Sequence, residues 1–320
     1  MRTPCPGLWL ALAVTLAAPA RAASPGADLF LPLAPNAPIT FGVSQPNGPK
    51  RAAAAKALLE PYLSEALKRP VKVAILDSYE DLSQALASGK VDLAWVEPVA
   101  FVVAQQQNHE VQAVAKALRR GKLYYRAALF VRADSPAKAL ADLKGKAVAW
   151  VSKSSASGYL FPRALVAAQG FDPDAFFHGQ SFAGDHPRAC ELVREKRADV
   201  GATFTDEGPS GAPAVADGCS ESPPVADFRV VAVSAPIPND VVAARAGFDE
   251  RVAESTLQVF AQMSQSEAGR QILRDVFHVD GWGVAVAGDF GPVADALKAA
   301  GPRPSATRKT SAKKPAKTSP

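Results

Sequence analysis

The stretch Val151-Ser152-Lys153-Ser154-Ser155-Ala156-Ser157-Gly158-Tyr159-Leu160-Phe161-Pro162 places four serines within six residues, then a glycine, directly before an apolar helical run. A helix start leaves several backbone N–H groups without partners and carries a partial positive charge. Serine hydroxyls add donors beside those N–H groups, and a glycine at 158 lets the backbone come close to a ligand. Together these features suit a tetrahedral oxyanion. Charge-assisted hydrogen bonds contribute about 1.5–3 kcal/mol each, so four or five cover the roughly 8 kcal/mol of micromolar binding after ordering costs. On spacing alone, an ordinary N-cap at Ser154, Ser155 or Ser157 explains the hydroxyls equally well.

The elements that must hold this stretch alternate between short β-rich runs and helical ones from about residue 38 to residue 300, which predicts an α/β fold with largely parallel sheets. ITFGVS, VKVAIL and VDLAWV read as strands, and YEDLSQALASG as a helix ending at Gly89. The run KRAAAAKALLEPYLSEALKR has a helical apolar period that Pro61 interrupts. After the turn RRGK and the strand LYYRAALFVR a second α/β series begins, with KAVAWV, FFHGQSF and ADVGATF as strands and GYLFPRALVAAQG and HPRACELVREKR as helices. Some 260 residues in two such series exceed one comfortable core, so two lobes are expected, residues 38–130 with 236–300 and residues 131–235. The runs near 123–132 and 228–235 read as the crossings between them. A ligand would sit in the cleft where strand ends and helix starts converge.

The chain ends carry separate information. Residues 1–22 read as a secretory signal: Arg2, the apolar run LWLALAVTLAAPA, then Ala20-Arg21-Ala22 as a cleavage site. That run is too short for a membrane span, so an exported, soluble protein is expected. The net charge of +5 is a property of the ends. Residues 302–320 hold six Lys/Arg and no acid, and the signal holds Arg2 and Arg21, which leaves −3 for the folded portion. Such a Pro/Lys/Ser/Thr tail cannot bury a core and is expected to be disordered. No nucleic-acid surface is indicated for the body. Cys190 and Cys219 remain in a compartment that permits disulfides, but spacing does not decide whether they pair.

Ser155-Ala156-Ser157-Gly158-Tyr159-Leu160-Phe161-Pro162 resembles the Ser-Thr-Ser-Gly-Tyr-Leu-x-Pro signature of the PhnD-like family, the phosphate/phosphite/phosphonate-binding periplasmic proteins of ABC transporters. Three further stretches resemble family segments in the same order: DSYEDLSQALASGKVDLAWVEP, AGDHPRACELVREKRADVGAT and APIPND. The resemblance implies a type II periplasmic binding fold with two lobes, a hinge and a ligand cleft. It implies capture of a phosphorus oxyanion (phosphonate, phosphite or phosphate) for uptake through an ABC permease, with no catalysis, no cofactor and no metal. It implies that Ser155 and Ser157, with the backbone N–H groups of Ala156 and Gly158, hold the phosphoryl oxygens. Tyr79 falls at the family's aromatic wall and His186 at its imidazole donor. Asp240 matches the acid of the family's PIPGD, and Asp206 falls near an acid that faces an organic substituent.

Two positions depart from the pattern. Ala156 replaces a threonine, and Val96-Glu97 stands where the family has an aromatic or apolar residue and then glycine. A desolvated carboxylate at Glu97 would repel a dianion by several kcal/mol unless it points away, is protonated or meets a ligand amine. Glu97, Asp206 and Asp240 together favour an aminoalkylphosphonate over free phosphate. Each carried residue also has a purely structural role open to it: His186 as a helix start, Tyr79 as a packing aromatic, Asp240 as a turn cap. A ligand sensor feeding a membrane receptor fits the same fold. A serine hydrolase built on Ser157, His186 and Asp206 or Asp240 fits poorly, because no G-x-S-x-G elbow is present. A monomer is expected.

Overall fold

The computed structural model describes residues 37–44, 53–205, 216–219, 225–286 and 288–300. The expected signal, the basic tail and Asp206 lie outside the described residues.

Along the chain, β1 (Ile39–Ser44) is followed by a π-turn (Ala55–Leu59) that runs into α1 (Glu60–Ala66). Pro61 thereby stands at the second residue of α1, directly after the π-turn, in a run that is helical on both sides of it. The expected interruption is thus a change of helix type at Glu60. Then come β2 (Val71–Leu76), α2 (Tyr79–Ala87), β3 (Leu93–Val96), α3 (Pro98–Gln107) and β4 (Gln112–Leu118). Ser78 caps α2 by accepting the Asp81 N–H at 3.0 Å. The second series runs β5 (Tyr124–Arg132), β6 (Ala147–Trp150), α4 (Phe161–Ala168), β7 (Gly179–Phe182), α5 (His186–Arg194), β8 (Val200–Thr205) and β9 (Phe228–Val233). The chain closes with β10 (Ile237–Pro238), β11 (Val241–Ala244), α6 (Glu250–Ala261), α7 (Glu267–Ile272), β12 (Gly281–Val284) and α8 (Gly291–Ala299).

These strands form two sheets, ordered β12-β4-β11-β3-β1-β2 and β10-β5-β8-β6-β7, with β9 paired to β5. The sheets are mixed, in contrast to the largely parallel arrangement that the alternation of strands and helices suggests. Parallel pairing joins β1 to β2 and β3, and β6 to β7 and β8. Every pair involving β4, β5, β9, β10, β11 or β12 is antiparallel. The physical reason is that the chain passes between the sheets twice, and each returning strand enters its sheet from the opposite end.

The crossings also lie elsewhere than the sequence suggests. β5 and β9 both belong wholly to the second sheet, so the chain crosses at 119–123, between β4 and β5, and again at 239–240, between β10 and β11. Asn239 zips the two crossings together, its Nδ2 donating to Ala117 O at 3.1 Å and Lys122 O at 2.9 Å.

Each sheet is packed on both faces. Adjacent residues serve opposite cores because strand side chains alternate: Trp95 joins Phe41, Phe260 and Phe277, whereas Val96 joins Leu82, Phe101 and Phe290. Leu129 and Phe130 divide the second sheet in the same way. Trp95 and Trp150 are both core residues. Cys190 and Cys219 are disulfide-bonded with Cα atoms 5.7 Å apart, buried beside Phe130 and Phe228. The pairing that spacing left open is decided by α5 packing against the 217–219 turn.

Candidate functional site

Between the two sheets lies a cleft of about 690 Å³. One wall is the serine stretch. β6 ends at Trp150, the chain turns through Ser152 to Ser155, and a π-turn (Ala156–Leu160) leads into α4. Ser152, Ser154, Ser155, Ala156 and Ser157 all line the cleft. Ser155 is the N-cap: its Oγ accepts the Gly158 N–H at 2.9 Å, which leaves its own hydroxyl hydrogen to donate elsewhere. Ser157 is buried and hydrogen-bonded to the Tyr125 phenol on β5. One hydroxyl thus caps the turn while its neighbours line the cleft.

Gly158 has a different role from the one its place in the stretch suggests. It does not line the cleft, and its N–H is taken by Ser155. A Cβ at this position would lie 2.4 Å from Val151, so glycine is needed for close packing of the turn on the end of β6.

The facing wall comes from the first sheet and the crossings. Tyr79 opens α2, Glu97 precedes α3, and Asp240 sits at the second crossing; all three line the cleft. Arg119, at the first crossing, holds Asp240 through an Nη2–Oδ2 contact of 2.6 Å. Glu97 is held well above the usual carboxylate range, first by its removal from water and then by the charge of Asp240, against a hydrogen bond from Tyr79. Glu80 raises it further and Arg119 lowers it. The Tyr125 phenol is pushed up by desolvation and by Asp240. Two carboxyls in one partly dry site thus disfavour holding two negative charges together.

His186 stands at the first position of α5, behind the cap Asp185, whose Oδ1 accepts the Arg188 N–H at 2.7 Å. Its Nδ1 lies 2.9 Å from Thr203 Oγ1, and its ring meets the Phe204 ring edge-on at 5.1 Å. Desolvation brings its pKa down to about 4, outweighing the opposing charge of Asp185. The ring is therefore neutral at physiological pH. A neutral ring that accepts the Thr203 hydroxyl at Nδ1 carries its hydrogen on Nε2 and can donate it to an anion.

Seven of the nine residues singled out in the sequence thus meet at one cleft: Tyr79, Glu97, Ser155, Ala156, Ser157, His186 and Asp240. Gly158 supports it from behind, and Asp206 lies outside the described residues. Arg119, Arg120, Tyr125, Asn239, His278 and Asp280 also line it, and sequence reasoning missed them. The run RRGK read only as a turn, and LYYRAALFVR only as a strand; a residue's place at a crossing is a tertiary property.

A family model described as "ABC transporter, phosphonate, periplasmic substrate-binding protein" matches residues 41–290. The chain belongs to this family. As a phosphonate-type periplasmic substrate-binding protein it captures a solute for ABC-type uptake in the periplasm. Solved structures share its fold. XAC2383 from Xanthomonas citri bound to chloride ion superposes with a TM-score of 0.67 at 21% identity, covering 82% of this chain and 97% of that one. The same protein bound to ATP gives 0.66 at 22% identity, covering 82% and 96%. PhnD1 from Prochlorococcus marinus in complex with methylphosphonate gives 0.61 at 18% identity, covering 82% and 97%. At these identities the likeness bears on the fold.

Proposed function

We propose that the cleft captures a phosphorus oxyanion that also carries a cationic group, an aminoalkylphosphonate being the simplest such ligand. The observation that carries this reading is the pairing of two unlike walls. Ser155, Ser157, the Ala156 N–H and a neutral His186 offer hydrogen-bond donors without net charge on one side. Glu97 and Asp240 sit on the other. Among the described lining residues, Glu97, Asp185, Asp240 and Asp280 face only two guanidiniums, Arg119 and Arg120. A dianion such as phosphate gains less in so acidic a cleft than a zwitterion, whose amine satisfies Glu97 and Asp240 together.

Capture proceeds without bond making: the oxyanion docks at Ser155–Ser157 beside His186 on the second lobe, and lobe closure brings Tyr79, Glu97 and Asp240 around it. The working protein is a monomer released by cleavage near Ala22, it delivers its ligand to an inner-membrane permease, and it performs no catalysis. The test is calorimetric titration of protein refolded from denaturant to strip bound ligand, against 2-aminoethylphosphonate, methylphosphonate, phosphite, phosphate and sulfate. Micromolar or tighter binding to 2-aminoethylphosphonate, at least about tenfold above phosphate, is expected. Equal or better binding of phosphate overturns the cationic part of the reading; binding of none overturns the oxyanion part.

The cleft volume favours one second reading. At about 690 Å³ it exceeds what methylphosphonate fills, and XAC2383 was solved with ATP. ATP therefore belongs in the same titration, and submicromolar ATP binding would favour a large phosphoryl ligand.

A further inference from the structure

The first crossing between the lobes is a two-residue turn. Arg119 and Lys122 exchange N–H···O bonds of 2.9 and 3.0 Å, and both central residues are left-handed, Gly121 at φ 70° and Arg120 at φ 50°. Arginine in that region is uncommon, so the surrounding structure holds it there. The tip is fixed to the first lobe, where the Gly121 N–H donates to Asp280 Oδ2 at 2.9 Å. From this fixed tip Arg120 Nη1 reaches Asp217 Oδ1 on the second lobe, also at 2.9 Å.

Asp217 is itself well anchored. It opens a short 3₁₀ turn (Asp217–Cys219) whose last residue is disulfide-bonded to Cys190 on α5. The middle residue, Gly218, lies against Thr203, where a Cβ would come within 2.0 Å of Oγ1. Thr203 is the partner of His186, and His186 starts the same α5. One covalent link therefore holds the acceptor for Arg120, the residue beside Thr203 and the helix that presents the imidazole.

We propose that Arg120 and Asp217 form a clasp between the lobes, anchored by the Cys190–Cys219 disulfide, which sets how long the cleft stays shut. The proposal rests on capture by lobe closure, not on which ligand is captured. The Arg120 side chain is 58% exposed and that of Asp217 16%. A pair at that exposure shifts the closed-to-open ratio by about two- to fivefold.

The test uses the full mature chain with spin labels at Lys144 on the second lobe and Glu254 on α6 of the first, and reads the interlobe distance distribution without ligand. Arg120→Ala and Asp217→Asn are each expected to lower the closed-to-open ratio by that factor, and the double variant to do no worse than either. An unchanged distribution, or effects that add, overturns the clasp. Because Arg120 also lines the cleft, binding rates are measured with methylphosphonate as the probe. A clasp raises the dissociation rate equally in both single variants with the association rate unchanged. Weaker binding in Arg120→Ala alone would make Arg120 a ligand contact and overturn the proposal. Methylphosphonate failing to bind would count against the oxyanion reading only, since the distance measurement needs no ligand. Cys190→Ala with Cys219→Ala is expected to match Asp217→Asn; a folded variant with an unchanged closed fraction overturns the anchoring.

Discussion

His186 Nδ1 lies 2.9 Å from Oγ1 of Thr203, on the strand that follows its own helix. Burial of this neutral pair has a pH signature. The folded pKa of about 4 is below the unfolded value of 6.5, so the unfolded chain binds the proton more readily between them. The contribution of His186 to stability is complete above pH 6.5 and is lost as the pH falls through that window and past 4. Urea unfolding at pH 7, 5.5 and 4 should show this loss, and His186→Gln should remove that part of the slope.

Thr203→Val keeps the shape of the pocket and removes the hydroxyl that orients the ring. Affinity for the best oxyanion is expected to fall about three- to tenfold, with the thermal midpoint moving little. Calorimetry and circular dichroism on the same sample check both halves.

The two central serines should separate in their effects. Ser155→Ala removes the acceptor for the Gly158 N–H and costs about 1 kcal/mol of stability as well as a ligand donor. Ser157→Ala should lower affinity with a smaller effect on unfolding. Together they are expected to weaken binding by at least about tenfold while the fold persists. Unchanged affinity in the double variant would remove the oxyanion from this wall.

Gly158→Ala tests the packing role assigned to the glycine. A methyl group 2.4 Å from Val151 must displace the turn, at a cost of about 1–3 kcal/mol in denaturant unfolding. A variant of wild-type stability would show that the turn can open without strain.

Glu97 carries the opposite pH signature to His186. Its folded pKa is raised above the ordinary glutamate value of 4.5, so its contribution is complete below pH 4.5 and is lost as the pH rises through the folded value. Glu97→Gln should flatten that decline and leave the protein more stable than wild type at neutral pH. It should also raise affinity for phosphate and lower it for 2-aminoethylphosphonate. Indifference to both ligands would show that the carboxyl does not meet them.

Much of this molecule was legible in residue order because much of it is local. A hydroxyl-rich helix start, the strands β3 and β5, and a change in the helical run at Pro61 follow from backbone chemistry within a few residues. The serine stretch could be singled out from its hydroxyls before a helical run, whereas Tyr79, Glu97, His186 and Asp240 stood out only through the ordered resemblance to the family's segments. Only tertiary structure decided the rest. Strand direction depended on where the chain crosses between sheets, so the mixed pairing was invisible to a reading of strand-helix alternation. Arg119 reaches Asp240 across 121 residues, and Arg120 reaches Asp217 across 97. No local pattern encodes such a pair. Gly158 shows the same limit at short range: its need for the absence of a side chain comes from Val151, seven residues back, and only the turn that brings them together reveals it.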